Sequence, residues 1–356
     1  MRLLIVSQTN VPWTPPYSRF FVERGDAVLV VSASPEPIDG VQTEFIGVEP
    51  FDKFKHKHIF LTRVPSLRRI IRRFQPDLVF APYIVSNGLL AALSWSGPLV
   101  VSARGGDVLD QAGQHGWRQR ARDVIVRYVC KRADVVHAVS NNLETALLDL
   151  AVPRDKLRMI PLGVDVNRFT PAAIPAGTNL ICTRKHEEIY DNPTIVRAME
   201  ILKNKGLTPS LTFVGGGHLI DERKRQVREA GLETRVQFAG HAGHDELPDL
   251  LRQAGIYISA SLSDGTSSAL LEAMACGLFP VVTRIAANTP WVDDEKTGLL
   301  FDPSDAGQLA TAIERAIGDE ALRTEARLIN RQRVEQDGNL HRNNEALAAM
   351  FEKLLR

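Results

Sequence analysis

The sequence predicts an α/β protein made of two doubly wound parallel sheets. Short apolar runs recur along the 356 residues and alternate with amphipathic segments, which is the pattern of βαβ units. A stretch rich in proline, glycine and alanine, 170–177, separates the fifth run from the sixth and is typical of an inter-domain linker. At roughly 150 residues per domain, the length also fits two domains. We therefore expect domains over 1–169 and 179–338, a linker over 170–178, and a C-terminal helix over 339–356 that can pack back on the first domain.

Ten apolar runs are the predicted strands, five on each side of the linker. Open α/β sheets bind ligands at the carboxyl ends of their strands, so we expect a cleft to which both domains contribute. After the last strand, 306–316, 320–331 and 340–355 have helical patterns. The predicted strands are 3–6, 28–31, 78–81, 99–102, 135–139, 179–182, 210–214, 236–238, 256–259 and 279–282.

Composition places the chain among ordinary soluble globular proteins, with 43 Lys and Arg, 42 Asp and Glu, and 44% hydrophobic residues. It excludes disordered, collagen-like and disulfide-rich classes. The three cysteines are far apart and form no C-x-x-C motif, which favours a reducing, cytoplasmic compartment. The apolar run after Met1 and Arg2 is too short for a signal peptide or a transmembrane helix.

One basic segment dominates the charge pattern. Lys53 to Arg73 holds eight Lys and Arg, no acidic residue, and interleaved Phe, Ile and Leu. Such a segment can lie on an anionic membrane as a peripheral anchor, and it can equally be a solvated helix whose apolar side packs on its own sheet. Nucleic acid is not the expected partner, because no aromatic stacking platform accompanies the charges.

The densest chemical signal lies in 259–282, where a strand end, a polar turn and a helix opened by small residues follow one another. The turn 265–268 offers successive backbone N–H groups at a helix N-terminus, which suits a diphosphate. Asp264 in the turn and Glu272 inside the helix are carboxylates able to accept hydrogen bonds from a polyhydroxylated ligand. The alternative is that the turn only caps the helix and that Glu272 pairs with a neighbouring base.

This arrangement resembles the acid-x7-acid signature of the retaining GT-B glycosyltransferases of family 4, written E-G-x-x-x-x-x-L-E-A-M-A-x-G-x-P-V-V. Passages at 133–140, 152–171, 214–217 and 236–240 are similar to other motifs of that family, in the same order. The resemblance implies a GT-B fold, in which two Rossmann-like doubly wound domains face each other across a cleft. It also implies that the second domain binds a nucleotide-diphospho-sugar donor and the first a glycan or lipid-linked acceptor. The expected reaction is sugar transfer with retention, in cell-surface polysaccharide or glycolipid biosynthesis, without a metal or other cofactor.

The resemblance also implies roles for single residues. Glu272 would hold the ribose hydroxyls and Asp264 the donor sugar. Arg184 would neutralise the diphosphate; the family's usual lysine is Ile189 here, so Lys185 is the expected substitute. The alternative for Arg184 is a surface ion pair with Glu187 or Glu188. The remaining expected donor contacts are Gly215, Gly265, Thr266, Ser267, Ser268 and Leu271.

Two departures concern the reacting groups. Asp264 replaces the usual glutamate, which shortens the carboxylate by one methylene. In 101–108, similar to the family's H-G-x-D loop, Arg104 replaces the histidine and is followed by Gly105 and Asp107. A guanidinium stays protonated and cannot act as a base, but it can bind an anionic sugar, an acceptor phosphate or the donor diphosphate. The alternative is a mutual salt bridge between Arg104 and Asp107.

Other readings compete with sugar transfer. A dinucleotide oxidoreductase is suggested by 215–217, but the G-x-G-x-x-G fingerprint fails at Ile220. A related fold could phosphorolyse a glycan or epimerise a nucleotide sugar, or it could bind a nucleotide at a membrane without catalysis. The pair His241 and His244 lacks a third ligand nearby in sequence, so no metal site is expected. Asn10, in the loop after the first strand, is expected to face the cleft.

Overall fold

Two compact units make up the chain. The computed structural model describes residues 1–11, 13–47, 62–109, 116–172, 177–243 and 245–356. The first unit comprises Met1–Pro161 with His341–Arg356, and the second comprises Leu162–Leu340. The division therefore precedes the predicted boundary at residue 169. The physical reason is that Val164, Val166 and Phe169 are buried in a hydrophobic cluster of the second unit.

The first unit has a seven-stranded parallel sheet of order β3-β2-β1-β4-β5-β6-β7. The chain builds outward from β1 in one direction and then from β4 in the other, which is the doubly wound Rossmann arrangement. The strands are β1 Arg2–Val6, β2 Ala27–Ser32, β3 Gln42–Phe45, β4 Leu78–Pro82, β5 Leu99–Ala103, β6 Val135–Ala138 and β7 Leu157–Met159.

Helices of the first unit cover this sheet, and the last of them comes from the C-terminus. Phe351 stacks on Phe21 with ring centroids 5.5 Å apart and lies 5.3 Å from Phe80 of β4. These buried aromatic contacts explain why the C-terminal segment belongs to the first unit. The α-helices are Thr14–Glu23, Val64–Phe74, Leu89–Ser94, Trp117–Arg132, Asn141–Asp149 and Leu340–Leu355, with a π-helical turn Ile84–Gly88 and a 3-10 turn Arg154–Lys156.

The basic segment is described only in part, since 53–61 lies outside the described residues. The rest forms the helix Val64–Phe74, in which Leu67, Ile70 and Ile71 are buried. These three side chains pack in the protein core, as expected for a solvated helix whose apolar side packs on its own sheet. The basic face of the same helix is exposed and includes Arg68, Arg69 and Arg72.

The second unit has a six-stranded parallel sheet of order β10-β9-β8-β11-β12-β13. The winding direction reverses between β8 and β11, which makes this the topological switch point of the sheet. The strands are β8 Leu180–Cys182, β9 Leu211–Val214, β10 Val236–Gly240, β11 Ile256–Ser259, β12 Phe279–Thr283 and β13 Leu299–Phe301. The α-helices are Asn192–Asn204, Ile220–Glu229, Leu247–Arg252, Ser268–Ala275, Ala306–Gly318 and Glu320–Asp337, with a 3-10 turn Glu188–Tyr190.

Alternate residues of β11 belong to different cores. Ile256 and Ile258 lie in one hydrophobic cluster and Tyr257 in another, because side chains of a strand point to opposite faces. Both faces of the second sheet are therefore covered, as in other parallel sheets. Among the residues that the structure describes, no helix is long and apolar enough to cross a membrane.

Candidate active site

The site begins at the switch point of the second sheet. Arg184 follows β8 and Asp264 follows β11, and these strands are neighbours whose carboxyl ends lie at the same edge. The two side chains form a salt bridge, with Nη2 of Arg184 2.6 Å from Oδ2 of Asp264. Residues 80 positions apart in sequence thus meet where doubly wound sheets bind their ligands.

Arg184 is held on several sides. Its Nη1 donates to Oγ of Ser267 at 3.3 Å, and its guanidinium lies 4.1 Å from the ring centroid of Tyr190. Its Nε is buried and lacks a hydrogen-bond partner among the described residues. Burial is the largest single influence and opposes the charge, but the Asp264 carboxylate and the neighbouring Tyr257, Tyr190 and Cys182 together outweigh it, so the pKa of Arg184 is raised above its ordinary value. The guanidinium is a fixed positive charge whose Nε–H group has no partner among the described residues.

The turn before the helix Ser268–Ala275 is fixed by its own side chains. Oδ1 of Asp264 accepts the backbone N–H of Gly265 at 2.8 Å, while Oδ2 accepts from Arg184. Ser267 caps the helix, because its Oγ accepts the N–H of Leu270 at 3.3 Å. The predicted cap is present, and the same serine also contacts Arg184. Capping and contact with the cationic group are therefore not alternatives here.

Glu272 lies half-buried on the same helix. Burial raises the pKa of its carboxyl to about 7, although Arg184 and Arg168 favour the charged form. Neither cation forms a hydrogen bond or salt bridge with Glu272 in the described residues, so the pairing with a base that was considered is wrong. The carboxylate remains available for an external donor.

Glycines after β9 allow a close approach of two loops. Gly215 has φ +141° and would bring a Cβ to 3.1 Å from the carbonyl oxygen of Arg184. Gly217 has φ +145°, and its Cβ would lie 2.4 Å from the carbonyl oxygen of His186. Because other residues rarely adopt these φ values and a Cβ at Gly217 would clash with the backbone, the two glycines permit the loop after β8 to take its position. In the structure, the two glycines allow the backbone after β9 to pack closely against the backbone at Arg184 and His186.

Some predicted donor contacts lie apart from this cluster. Lys185 is exposed, and the described residues place its amino group against none of the others. Leu271 is fully buried in the core of the second unit, so its side chain packs there. Ser268 starts the helix and is partly exposed, whereas Gly265 and Thr266 are buried in the turn. The surface ion pair considered for Arg184 is wrong, because Glu188 contacts His218 instead.

A second polar cluster lies in the first unit, directly after β5. Asp107 accepts the backbone N–H groups of Arg104 and Gly105 with Oδ1, both at 3.0 Å, and that of Ile84 with Oδ2 at 2.9 Å. Burial raises its pKa, and these hydrogen bonds oppose the rise. The salt bridge considered between the Arg104 and Asp107 side chains is therefore wrong. The carboxylate shapes the loop through its backbone.

The Arg104 side chain contacts a residue that sequence reasoning missed. Nη1 donates to the Tyr17 hydroxyl at 3.3 Å, and the guanidinium lies 5.0 Å from the ring centroid. Tyr17 is 87 positions away in sequence, and no local pattern points to it. Asn10 lies exposed in the loop after β1. Within the described residues, no group of three His, Cys, Asp or Glu side chains could hold a metal ion, and His244 lies outside them.

Comparison with known proteins identifies the family. The sequence model described as glycosyl transferases group 1 matches residues 185–334. The model described as glycosyltransferase family 4 matches residues 16–168. The two matches fall in the second and first units respectively. Together they extend over most of the chain.

Individual relatives are distant. The D-inositol 3-phosphate glycosyltransferase of Arthrobacter sp. (strain FB24) is 26% identical over 277 residues, which are 71% of this chain and 66% of that protein. The putative colanic acid biosynthesis glycosyltransferase WcaL of Escherichia coli (strain K12) is 26% identical over 259 residues, 67% of this chain and 63% of that protein. The matched part of the chain thus spans slightly less than two thirds of the length of these relatives.

Solved structures of the same architecture cover almost the whole chain. HepE of Anabaena in complex with UDP and glucose has a TM-score of 0.81 and 17% identity over 99% of both chains. Sucrose-phosphate synthase from Thermosynechococcus elongatus has a TM-score of 0.86 and 21% identity, over 99% of this chain and 98% of that one. The chain belongs to the family 4, or group 1, glycosyltransferases and has their GT-B fold of two Rossmann-like domains.

Proposed function

We propose that the protein is a retaining glycosyltransferase that uses a nucleotide-diphospho-sugar to glycosylate a glycan or lipid-linked acceptor. The observation that carries this proposal is the buried Arg184 at the switch point, held by Asp264 and Ser267 with its Nε unpartnered. A fixed cation at that place suits a diphosphate that becomes more negative as it leaves. The names of the relatives, which include glycosyltransferases of polysaccharide and phosphoinositol synthesis, support a role in cell-surface polysaccharide or glycolipid biosynthesis.

The donor would be held by the second unit. In this proposal Glu272 accepts hydrogen bonds from the ribose hydroxyls, as its unpaired carboxylate allows. Asp264 contacts hydroxyl groups of the sugar while Arg184 faces the diphosphate. Backbone N–H groups of the turn 265–268 complete the anion site at the N-terminus of an eight-residue helix. Arg184 supplies the positive charge, so the proposal requires no metal ion.

The chemical step needs no protein nucleophile. The bond between the anomeric carbon and the leaving phosphate oxygen breaks, and the acceptor hydroxyl oxygen forms a new bond to that carbon on the same face. The acceptor proton passes to the leaving phosphate oxygen, which becomes more basic as the bond breaks. Arg184 stabilises the charge that develops there. The presence of Arg104 where the family usually has a histidine is compatible with this step, because the step involves no side-chain base.

We also propose that the first unit contacts an anionic membrane from the cytoplasmic side. The helix Trp117–Arg132 exposes Trp117, Val124 and Tyr128, which recur at helical spacing on one face. Tryptophan and tyrosine favour the membrane interface, and basic side chains attract anionic lipids. The exposed basic residues beside that stripe are Arg120, Arg127 and Lys131. The exposed arginines of the helix Val64–Phe74 would add to the same attraction.

The first test is a thermal-shift screen with UDP, GDP, ADP, CMP and their sugar conjugates, with NAD as the control. A ligand that binds only the folded protein raises Tm by mass action. A selective shift with one nucleotide diphosphate is the expected result, and the anomeric form of the product then tests retention by NMR. Binding without turnover over many acceptors would favour the alternative, a non-catalytic nucleotide-binding homologue at the membrane. A shift with NAD alone would refute the proposed donor.

A further inference from the structure

The guanidinium of Arg104 has one edge without a partner. Arg104 is 7% exposed, and its Nε and Nη2 atoms are both buried and lack hydrogen-bond partners among the described residues. Only Nη1 is engaged, by the hydroxyl of Tyr17. Nε and Nη2 lie on the same side of a planar guanidinium, and their N–H groups point in parallel. Together they form the fork that binds two oxygens of a carboxylate or phosphate.

Among the residues that the structure describes, no neighbouring group neutralises this charge. Both oxygens of Asp107 are occupied by backbone N–H groups, so that carboxylate is turned to the loop and not to the guanidinium. His137 cannot accept from Arg104, since its Nδ1 pairs with Ser102 at 2.9 Å and its Nε2 with the carbonyl of Ile160 at 2.7 Å. A buried cation without a counter-ion destabilises a protein unless something else fills the position. An external anion would do so.

Polar atoms of the first loop point to the same conclusion. Gln8 and Trp13, in the loop after β1, each have a buried side-chain atom without a partner among the described residues, Oε1 and Nε1 respectively. Trp13 lies 5.9 Å from the ring of Tyr83, which follows β4. Since β4 lies between β1 and β5 in the sheet, these loops adjoin at one edge. An acceptor and a donor of hydrogen bonds are thus left over near the β5 loop, as a hydroxylated ligand requires.

We propose that Arg104 binds an oxyanion of the acceptor, so that the acceptor carries a phosphate or a carboxylate. This inference rests on the proposed function, in which the first unit holds the acceptor. The donor diphosphate is assigned to Arg184 in the second unit, and the fork of Arg104 is left for another anion. Lysine at this place would keep the charge but lose the two parallel donors.

The test observes Arg104 directly. The Nε–H resonance of Arg104 is identified in the full-length protein by its absence from Arg104→Lys. Inorganic phosphate and, separately, acetate are then titrated at constant ionic strength set with chloride. We expect a saturable shift of that resonance with one of the two anions. For Arg104→Lys, the Kd of the same anion, obtained from thermal stabilisation, should be at least about tenfold higher, as loss of one charge-assisted hydrogen bond implies. Tyr17→Phe, which keeps the fork, should bind as the wild type does.

Three outcomes would overturn the inference. The resonance could stay unmoved by either anion, which would leave Arg104 a purely structural residue. Arg104→Lys could be stabilised as strongly as the wild type, which would place the anion elsewhere. The nucleotide diphosphate found in the screen could displace phosphate from Arg104, which would make the anion part of the donor. The thermal-shift screen reports on the donor independently, so a failed anion test does not count against sugar transfer. If Arg104 binds an anion but no nucleotide shifts Tm in the screen, the result counts against sugar transfer and not against the anion site.

Discussion

Replacing Arg184 with glutamine should weaken nucleotide diphosphate binding by about 10- to 150-fold. A hydrogen bond to a charged group contributes about 1.5–3 kcal/mol, and every 1.4 kcal/mol is about tenfold in Kd. The structure supplies the reason to expect the full effect. Arg184 is 9% exposed and is already oriented by Ser267 and Asp264, so little ordering is needed when the ligand arrives. Glutamine keeps a polar group of moderate size but removes the charge.

Two secondary effects act in the same direction. Without the Arg184 cation beside it, the negative charge of Asp264 repels the diphosphate, since like charges repel. Arg184 is also the main group that lowers the pKa of Glu272, which burial raises to about 7. In Arg184→Gln that pKa should rise further, so a smaller fraction of Glu272 is ionised at neutral pH. The variant therefore loses one direct contact and weakens a second.

The assay is calorimetric titration with the nucleotide diphosphate that the screen selects. Arg315→Gln is the matched control, because Arg315 is an exposed arginine whose partner is the exposed Glu295. Arg184→Lys should recover part of the affinity, since it restores the charge but not the geometry. Cooperative thermal unfolding of each variant shows that the fold is intact.

An unchanged Kd in Arg184→Gln would refute this reasoning. The salt bridge with Asp264 would then serve only to hold two loops together at the switch point. In that case the variant should unfold at a lower temperature while binding nucleotide as well as Arg315→Gln does. An equal loss of affinity in Arg184→Gln and Arg315→Gln would show that nucleotide binding depends on the total charge of the protein and not on the position of Arg184.

Three further perturbations have signs fixed by the structure. Burial raises the pKa of Glu272 to about 7 from the ordinary value, so the folded state keeps a proton that the unfolded chain has lost and stability falls as pH rises toward 7. Glu272→Gln should therefore raise Tm above pH 7, with no gain below the ordinary carboxyl pKa. Gly217→Ala should destabilise by at least about 2 kcal/mol, whereas Gly216→Ala, where a Cβ meets nothing within 4 Å, should unfold as the wild type does. Glutamate in place of three exposed arginines should weaken binding to anionic vesicles by more than about 100-fold but leave neutral vesicles unaffected, and unchanged binding would leave the helix as a solvated one. The three are Arg68, Arg69 and Arg72.

The sheets were predictable where burial is complete. All ten predicted strands are present, and they include every central strand of both sheets. The three that sequence reasoning missed, β3, β7 and β13, lie at sheet edges and have three or four residues each. An edge strand pairs on one side only and needs no continuous apolar run, as the partly exposed Gln42–Phe45 illustrates. Apolar periodicity therefore carries little information at such positions.

The site was predictable in composition but not in its pairing. The turn chemistry pointed to Asp264 and Glu272, and the resemblance to the family 4 glycosyltransferases implied Arg184. Arg184 contacts Asp264 because β8 and β11 are adjacent in the sheet. This adjacency is a tertiary feature that sequence spacing does not encode. Local reasoning offered Glu187 and Glu188 because they are close in sequence. Contacts across 80 residues follow from sheet order and not from proximity along the chain.

Arg184 and Arg104, both buried, illustrate opposite solutions to the same electrostatic problem. Arg184 has a carboxylate partner from the adjacent strand, so its charge is compensated before any ligand binds. At Arg104 the available carboxylate is used by three backbone N–H groups, and the side-chain fork is left unpaired. Binding an anion at Arg184 must therefore compete with Asp264, whereas binding at Arg104 meets no such competition. If both arginines contact substrates, the same anion should bind with a lower Kd at Arg104 than at Arg184. This difference in Kd should be smaller in Asp264→Asn, which removes the competing charge beside Arg184.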